Sequence, residues 1–313
     1  MRKWYFFKFL FFLIFSGHAG LPLSAPIVQV PELCEPKSNP AGFDFPTSWF
    51  TWNLEWFPGR IPESSGKNQQ DHIRKVRALL REISPDVAIF QEVVSATALS
   101  VAAGDYPWRA VTHFERAADE DEKLPPQNIA LVSRIPWKEV WELDFHQLPA
   151  SEERPVRGFI GAEFIDPAGQ RLTVYGIHLK SNRGGREASA KRREKAMEYL
   201  RWDWRRRNLD PRQEAILIAG DFNCSLKNPE FVQEKTIRGL LKERWISVAQ
   251  EMPWPEGATV RENRLAKYPP ADFDHILLSP GWGKIYGRYG KDVRVFRDKD
   301  VPSDHFPLWM KVQ

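Results

Sequence analysis

Residues 215–223 read AILIAGDFN, five apolar residues followed by a glycine, Asp221 and Asn223. A short apolar run bounded by turn residues reads as a buried strand. Strand stability gives no reason for a carboxylate at the mouth of such a run, since desolvating a charge is costly. The same pattern recurs along the chain. SWFTWN (48–53) ends at Asn53, DVAIFQE (86–92) at Glu92 and LTVYGIH (172–178) at His178. FDHILLS (273–279) carries Asp274 at its start, and VPSDHFPLWM (301–310) carries Asp304 and His305. Several strand ends of this kind predict convergence on one polar site, placed to surround a cation.

The segments between these runs set the fold class. Residues 71–83 place Ile73, Val76, Leu80 and Ile83 on one helical face, and Ser84-Pro85 ends the helix before the Glu92 strand. Strand-helix-strand order marks an α/β arrangement. Residues 129–133, 140–145 and 159–165 read as closely spaced strands, an antiparallel meander. After His178 comes SNRGGR, then a predicted helix over 187–206. The acidic, proline-containing stretch 115–127 reads as a solvated loop. No internal repeat is visible.

At 313 residues and 42% hydrophobic, with 13 tryptophans and 20 phenylalanines, the chain can bury a large core, and disorder is excluded. Arg2, Lys3 and Lys8 flank an apolar stretch at Phe9–Phe15, followed by small residues to Ala19. This pattern predicts a secretory signal over residues 1–19, and hence a secreted or periplasmic protein. Residues 20–47 read as an extended lead-in, and 48–313 as one catalytic domain. The first nineteen residues hold three basic and no acidic residues, so their removal lowers the net charge from +4 to +1. Overall charge therefore does not argue for nucleic acid without a local patch. Cys34 and Cys224 are either one disulfide or two unpaired thiols, and without a CxxC they do not form a cysteine-rich zinc site.

Asn53, Glu92, Asp221, Asn223 and Asp304 offer only oxygen ligands or hydrogen bonds, which suit Mg²⁺, Mn²⁺ or Ca²⁺ rather than zinc. His178 and His305 add proton transfer near neutral pH. Together these are the requirements of phosphoester hydrolysis. TWNLEWF, SPDVAIFQEV, YGIHLKSN, IAGDFN, FDHILLS and SDHFPL, in this order, resemble the successive signatures of the endonuclease/exonuclease/phosphatase superfamily, in an exported bacterial form. The resemblance covers residues of about 48–312. It implies a four-layer α/β sandwich, two packed mixed β-sheets flanked by helices. It also implies metal ligands Asn53, Glu92 and Asp304, and catalytic residues His178, Asp221, Asn223, Asp274 and His305. Either Asp221 or the Asp274–His305 pair serves as the base. Asp144, Asp272 and His275 read as structural.

For substrate, the segment from Arg183 to Arg207 holds ten basic residues against four acidic ones. A basic face there would track a nucleic-acid backbone, with Trp202 or Trp204 stacking on bases. The alternative is a solvated amphipathic helix with Leu200 and Trp204 facing the core. Lys180, Arg154, Arg157, Arg183 and Arg186 are candidate phosphate contacts. The favoured reading is a metal-dependent, endonucleolytic phosphodiesterase, monomeric and without a stable protein partner. The rivals are a phospholipid or sphingomyelin phosphodiesterase using Trp254 and Trp282 at a membrane, and a small-phosphoester phosphatase.

Overall fold

The structure, a computed structural model, describes residues 44–114, 124–262, 269–287, 292–297 and 300–312, with the backbone of 32–34. The expected signal segment lies outside the described residues, as does most of the acidic loop. The strands are β1 (Glu32–Cys34), β2 (Ser48–Phe57), β3 (Val87–Val93), β4 (Trp108–Val111), β5 (Asn128–Ser133), β6 (Glu139–Asp144) and β7 (Gly158–Ile165). They continue as β8 (Arg171–His178), β9 (Ala215–Asp221), β10 (Ile246–Ser247), β11 (Asp274–Leu278), β12 (Asp292–Val295) and β13 (Leu308–Lys311). The helices are α1 (Gly66–Ile83), α2 (Ala96–Ala102), α3 (Arg186–Arg206), α4 (Lys235–Lys242) and the single turn α5 (Gly283–Tyr286).

Two mixed sheets result. The first has seven strands in the order β1-β4-β5-β3-β2-β13-β12, the second six in the order β10-β11-β9-β8-β7-β6. Each has one parallel pair at its centre, β2–β3 and β8–β9. The sheets pack face to face through Trp49, Ile89, Leu131, Val174, Leu217 and Ile276. The first sheet buries its other face against α1 and α2 through Phe50, Phe90, Val76 and Leu99. The second buries its other face against α3 and α4 through Tyr175, Ile218, Leu200 and Ile237. Helices, sheet, sheet, helices: this is the four-layer α/β sandwich that the motif order implied.

Three expectations change. The meander is β6-β7-β8, while β5 belongs to the first sheet, between β4 and β3. Closely spaced strands in sequence do not reveal which of two sheets each will join. Helix α1 begins at Gly66, five residues before the apolar period, because Ser65 caps the Asn68 amide. Trp282 is buried, stacked on Tyr286 and edge-on to Trp49, so it is a core residue and not a membrane anchor. Cys224 is a buried free thiol, so it is not disulfide-bonded; the Cys34 side chain lies outside the described residues. Among the described residues, no helix is long and apolar enough to cross a membrane.

Candidate active site

Period-two alternation decides which strand-end residues can meet. Leu217 and Ala219 of β9 face the inter-sheet core, so Asp221 faces the same way. Leu172 and Val174 set this face for His178, and Ile276 and Leu278 set it for Asp274. The register then aligns all three abreast, since Asp221 pairs with His178 on one side and Asp274 on the other. In the first sheet, Trp49 faces inward, and Asn53 four residues later does too.

Glu92 breaks the rule. It shares parity with Ala88 and Phe90, which face the helices. However, its φ is 60°, and the β3–β5 register shifts between Phe90 and Val93. The β2–β3 register shifts too, between Asn53 and Phe57, where Glu55 and Trp56 have φ of 53° and 52°. Paired irregularities of this kind re-aim side chains at the rim of a sheet. Here they bring the Glu92 carboxylate to Asn53.

Asn53 Nδ2 donates to Glu92 Oε1 at 3.1 Å and to Asp221 Oδ2 at 3.1 Å, tying one sheet to the other. Glu92 Oε2 accepts the Trp56 amide at 3.0 Å. His178 Nε2 lies 3.5 Å from Asp221 Oδ2 and 3.8 Å from Glu92 Oε1. Asn223, left-handed at φ 50°, donates from its backbone to Asp221 Oδ1 at 2.8 Å and from Nδ2 to Asp221 Oδ2 at 3.0 Å. His305 Nδ1 donates to Asp274 Oδ2 at 2.7 Å, and its Nε2 lies 3.9 Å from Asp221 Oδ2. The structure thus brings seven of the eight expected metal and catalytic residues into one contiguous network. The eighth, Asp304, is exposed at the rim, and its backbone amide donates to Glu55 Oε2 at 2.9 Å.

The environment drives the two histidines in opposite directions. Burial drives His178 well below its ordinary range, helped by the cations Arg157, His305 and Lys180. Burial would also lower His305, but the charge and hydrogen bond of Asp274, with Asp221 and Asp304, outweigh it and hold His305 well above that range. Burial pushes the Asp221 carboxyl up to about 7, against the opposing pull of His305. Burial also raises Glu92, opposed by Arg157 and Asn53.

Oxygen donors dominate this end of the sandwich, and burial opposes the negative charge of Glu92 and Asp221. The donor chemistry therefore fits a hard divalent cation. Among the described residues, no three His, Cys, Asp or Glu side chains form a complete cage for one. A Mg²⁺-like ion does not need such a cage, because it commonly takes one or two carboxylates and completes its shell with water and phosphate oxygens.

A cleft of about 1170 Å³ opens over the network, lined by Asn223, Asp304 and His305 and rimmed by Arg60, Arg183, Arg186 and Arg261. The sequence model of the Endonuclease/Exonuclease/phosphatase family matches residues 50–305, which contain all eight expected metal and catalytic positions. The chain belongs to this family. Enzymes of the endonuclease/exonuclease/phosphatase family are hydrolases acting on phosphoester bonds and are generally divalent-metal dependent. No curated protein matches the chain in sequence. Among solved structures, it is similar to an endonuclease/exonuclease/phosphatase of Beutenbergia cavernae, at 16% identity and TM-score 0.61, covering 85% of this chain and 71% of that one. It is also similar to D. rerio TDP2 complexed with a single-strand DNA product, at 19% identity and TM-score 0.60, covering 86% and 100%. Sphingomyelinase C from Streptomyces griseocarneus follows at 17% identity and TM-score 0.58, also covering 86% and 100%. At these identities the likeness concerns the fold alone.

Within this family member, the expected phosphate contacts divide. Arg183 and Arg186 line the cleft, and Arg186 pairs with Glu230 and lies 5.5 Å over Phe231. Lys180 is buried, with Nζ donating to the Arg183 carbonyl at 3.0 Å, and does not line the cleft. Arg157 is buried too, donating to the Leu179 carbonyl and to Gln127, and its charge acts on Glu92 and His178 from beneath. Arg154 also lies outside the cleft lining. Of the two readings of α3, its aromatics follow the amphipathic one: Leu200, Trp202 and Trp204 are buried, leaving neither tryptophan free to stack on bases, and Arg193 is fully buried against Glu234, while Lys191, Arg205 and Arg206 stay exposed. The remaining structural assignments hold. Asp144 caps a 3-10 turn, Asp272 holds the loop after β9 through Ser225 and Leu226, and His275 binds the Cys224 carbonyl.

Four residues that sequence reasoning missed support the site. Glu55 holds both Arg60 Nε at 2.7 Å and the Asp304 amide. Ser303 Oγ donates to the Asn53 carbonyl at 2.7 Å and accepts the His305 amide. Thr259 Oγ1 accepts the Asp274 amide at 2.9 Å, and Arg261 reaches the cleft from the same loop. Only Glu55 and Ser303 lie inside the quoted motifs; Thr259 and Arg261 carry no sequence signal.

Proposed function

We propose that this protein is a secreted or periplasmic, Mg²⁺- or Mn²⁺-dependent phosphodiesterase that cuts nucleic acid internally. The observation that carries this reading is the cleft, which His305 and Asn223 line together with four arginines. Arg183 and Arg186 lie beside Lys180 and Glu230, and Arg60 and Arg261 beside Glu55 and Asp304. Several cations around the centre suit a strand with phosphates on either side of the scissile bond, rather than one terminal phosphate. The DNA product bound to TDP2 is consistent with this fold handling a strand.

In this reading Glu92, Asn53 and Asp304 hold the ion, which when bound neutralises phosphate charge. Asp221, with its carboxyl near 7, is suited to take a proton from water at neutral pH. Protonated His305, oriented by Asp274, holds a phosphate oxygen, and the Asn223 amide donates to another. Neutral His178 hydrogen-bonds the developing oxyanion. The enzyme works as a monomer.

A lipid phosphodiesterase is the second reading, favoured by the likeness to sphingomyelinase C and by Trp254, which is 46% exposed. With Trp282 in the core, Trp254 lacks the companion this reading relied on. The deciding experiment offers plasmid DNA, RNA, sphingomyelin vesicles and an aryl phosphodiester to the protein from residue 20 onward. Each is tested with Mg²⁺, Mn²⁺ or EDTA, and with His305→Ala as control. Metal-dependent nicking that His305→Ala lacks supports a nuclease. Lipid cleavage without nicking replaces it with the second reading.

A further inference from the structure

Helices α3 and α4 end at the pole opposite the cleft, beside the loop that enters β9. Two adjoining cavities of about 550 and 260 Å³ lie there, sharing Arg212, Glu243 and Pro280. Lys242 and Arg244 line the larger, and Arg205 the smaller. The side chains of Arg205, Arg212, Lys242 and Arg244 are all exposed, and none makes a hydrogen bond or ion pair among the described residues. Along α3, by contrast, Arg186, Lys191, Arg193, Lys195, Arg201 and Arg206 each have an acidic partner, and Arg192 donates to the Glu152 carbonyl. Two acids line the trough: Glu243 is occupied by Arg201 at 3.0 Å, and Asp210 accepts the Arg212 backbone amide at 3.0 Å.

Helix C-termini attract cations, and this accounts for Arg205 and Lys242. It does not account for Arg212, which lies six residues beyond α3. Nor does it account for Arg244, which holds φ 70°, a conformation disfavoured for a side chain, where glycine or asparagine would serve as the cap. Unpaired like charges gathered around a concavity focus a positive potential. The largest exposed apolar side chains, Ile61, Val101, Ile165, Val232 and Trp254, all lie outside the trough lining. A membrane surface, which needs apolar insertion as well as charge, is therefore a poor fit.

We propose that this trough binds the phosphate backbone of a single nucleic-acid strand, as a second site separate from the catalytic cleft. The 21 residues of α3 run from Arg186 at the cleft to the trough, a span of about 30 Å at 1.5 Å per residue. A strand spaced at about 3.4 Å per nucleotide needs roughly nine nucleotides to cover it. A strand long enough to occupy both sites binds more tightly by effective concentration. The bridging half of the idea rests on the cleft taking nucleic acid; binding at the trough does not.

The test uses the full chain carrying His305→Ala, so that DNA stays intact, and measures anisotropy with single-stranded 8-mers and 30-mers across salt. The 30-mer is expected to bind at least tenfold more tightly than the 8-mer. Arg205→Gln, Arg212→Gln, Lys242→Gln and Arg244→Gln together should remove that advantage and reduce the salt slope by about three, at about 0.7 per phosphate contact on single strands. Arg244→Gly, which relieves the left-handed backbone, keeps the fold and should lose part of the advantage. With His305 restored, hydrolysis of an aryl phosphodiester should be unchanged by the four substitutions. Unaltered 30-mer binding, an equal loss on the aryl diester, or a loss confined to acidic phospholipid vesicles would each overturn the proposal. Trough-dependent DNA binding by a protein that cuts no nucleic acid would uphold this site and overturn the cleft reading.

Discussion

Arg193→Ala should be among the most damaging single substitutions outside the catalytic network, although the residue sits in what reads as an exposed basic run. Its guanidinium is fully buried, with Nε and Nη2 donating to Glu234 at 2.7 and 2.8 Å, Nη1 to the Lys180 carbonyl at 2.6 Å and Nη2 to Asn182 at 3.1 Å. Removing it leaves the Glu234 carboxylate buried without its counter-charge and frees the loop that follows His178. Breaking a buried pair from one side costs about 3–5 kcal/mol. For a domain of this size that corresponds to a Tm lower by roughly 6–20 °C, at about 2–4 °C per kcal/mol. The neighbouring Arg192 donates only to the Glu152 carbonyl in an exposed setting, so Arg192→Ala should cost under about 1 kcal/mol. Replacing both partners, as Arg193→Met with Glu234→Leu, should recover much of the loss, because no lone charge remains. Thermal and urea melts of the four proteins give the comparison. If Arg193→Ala melts within about 2 °C of the parent, or if both arginines cost the same, the buried-pair argument is wrong.

His305→Ala and Asp221→Ala should each remove at least about 99% of turnover with the fold retained, as steady-state assays alongside circular dichroism would show; near-normal activity in either would refute the assignment. Without added metal, stability should fall as pH rises from about 4 to 7. Asp221 keeps its proton in the fold to about 7, whereas the unfolded chain releases it near 3.8, so over this window the unfolded state binds fewer protons. Asp221→Asn should flatten that slope, and an unchanged slope would count against it. His305, raised in the fold, adds stability below its ordinary range near 6.5 that is lost as pH climbs through its folded value, and Asp274→Asn should abolish this second contribution. Mg²⁺ should raise Tm more at pH 8 than at pH 5, because it favours the ionised carboxylates; an equal effect at both would argue that it binds elsewhere. Gly220→Ala should prevent soluble folding, since a Cβ at φ 146° would lie 2.0 Å from the Ile177 carbonyl oxygen; a protein of normal Tm would refute the close approach.

Strand ends and their parity carried most of what the chain disclosed in advance. Leu217, Ala219 and Asp221 alternate visibly, so a carboxylate facing the inter-sheet core can be read from AILIAGDFN alone, and likewise for His178 and Asp274. Glu92 could be read as a strand-end carboxylate but not placed on the inner face, because alternation by itself would turn it toward α1; the left-handed backbone that reverses it has no marker such as glycine. Charge runs misled for a related reason. Arg193 reads like its neighbours Lys191 and Arg192, and only the position of Glu234, forty-one residues away, makes it a core residue. Sheet membership was equally hidden: β5 and β6 are separated by a short loop, yet they belong to different sheets. Local pattern fixes which face a side chain occupies and says little about distant partners.

The opposite shifts of two histidines in one pocket follow from register, and so does the division of labour proposed for them. Both rings are desolvated, which by itself favours the neutral form. Asp274 is the β11 partner of Asp221, and its carboxylate reaches Nδ1 of His305, arriving from the first sheet. His178, on the other side of Asp221, has its Nδ1 buried without a hydrogen-bond partner. One ring therefore gains a hydrogen-bonded carboxylate of its own and the other does not, although both face the same Asp221 oxygen at 3.5 and 3.9 Å. Groups of one kind whose environments drive them to opposite protonation states can serve as cation and neutral donor in a single step. The order β11-β9-β8 makes that separation; exchanging the two outer strands around Asp221 would exchange the roles.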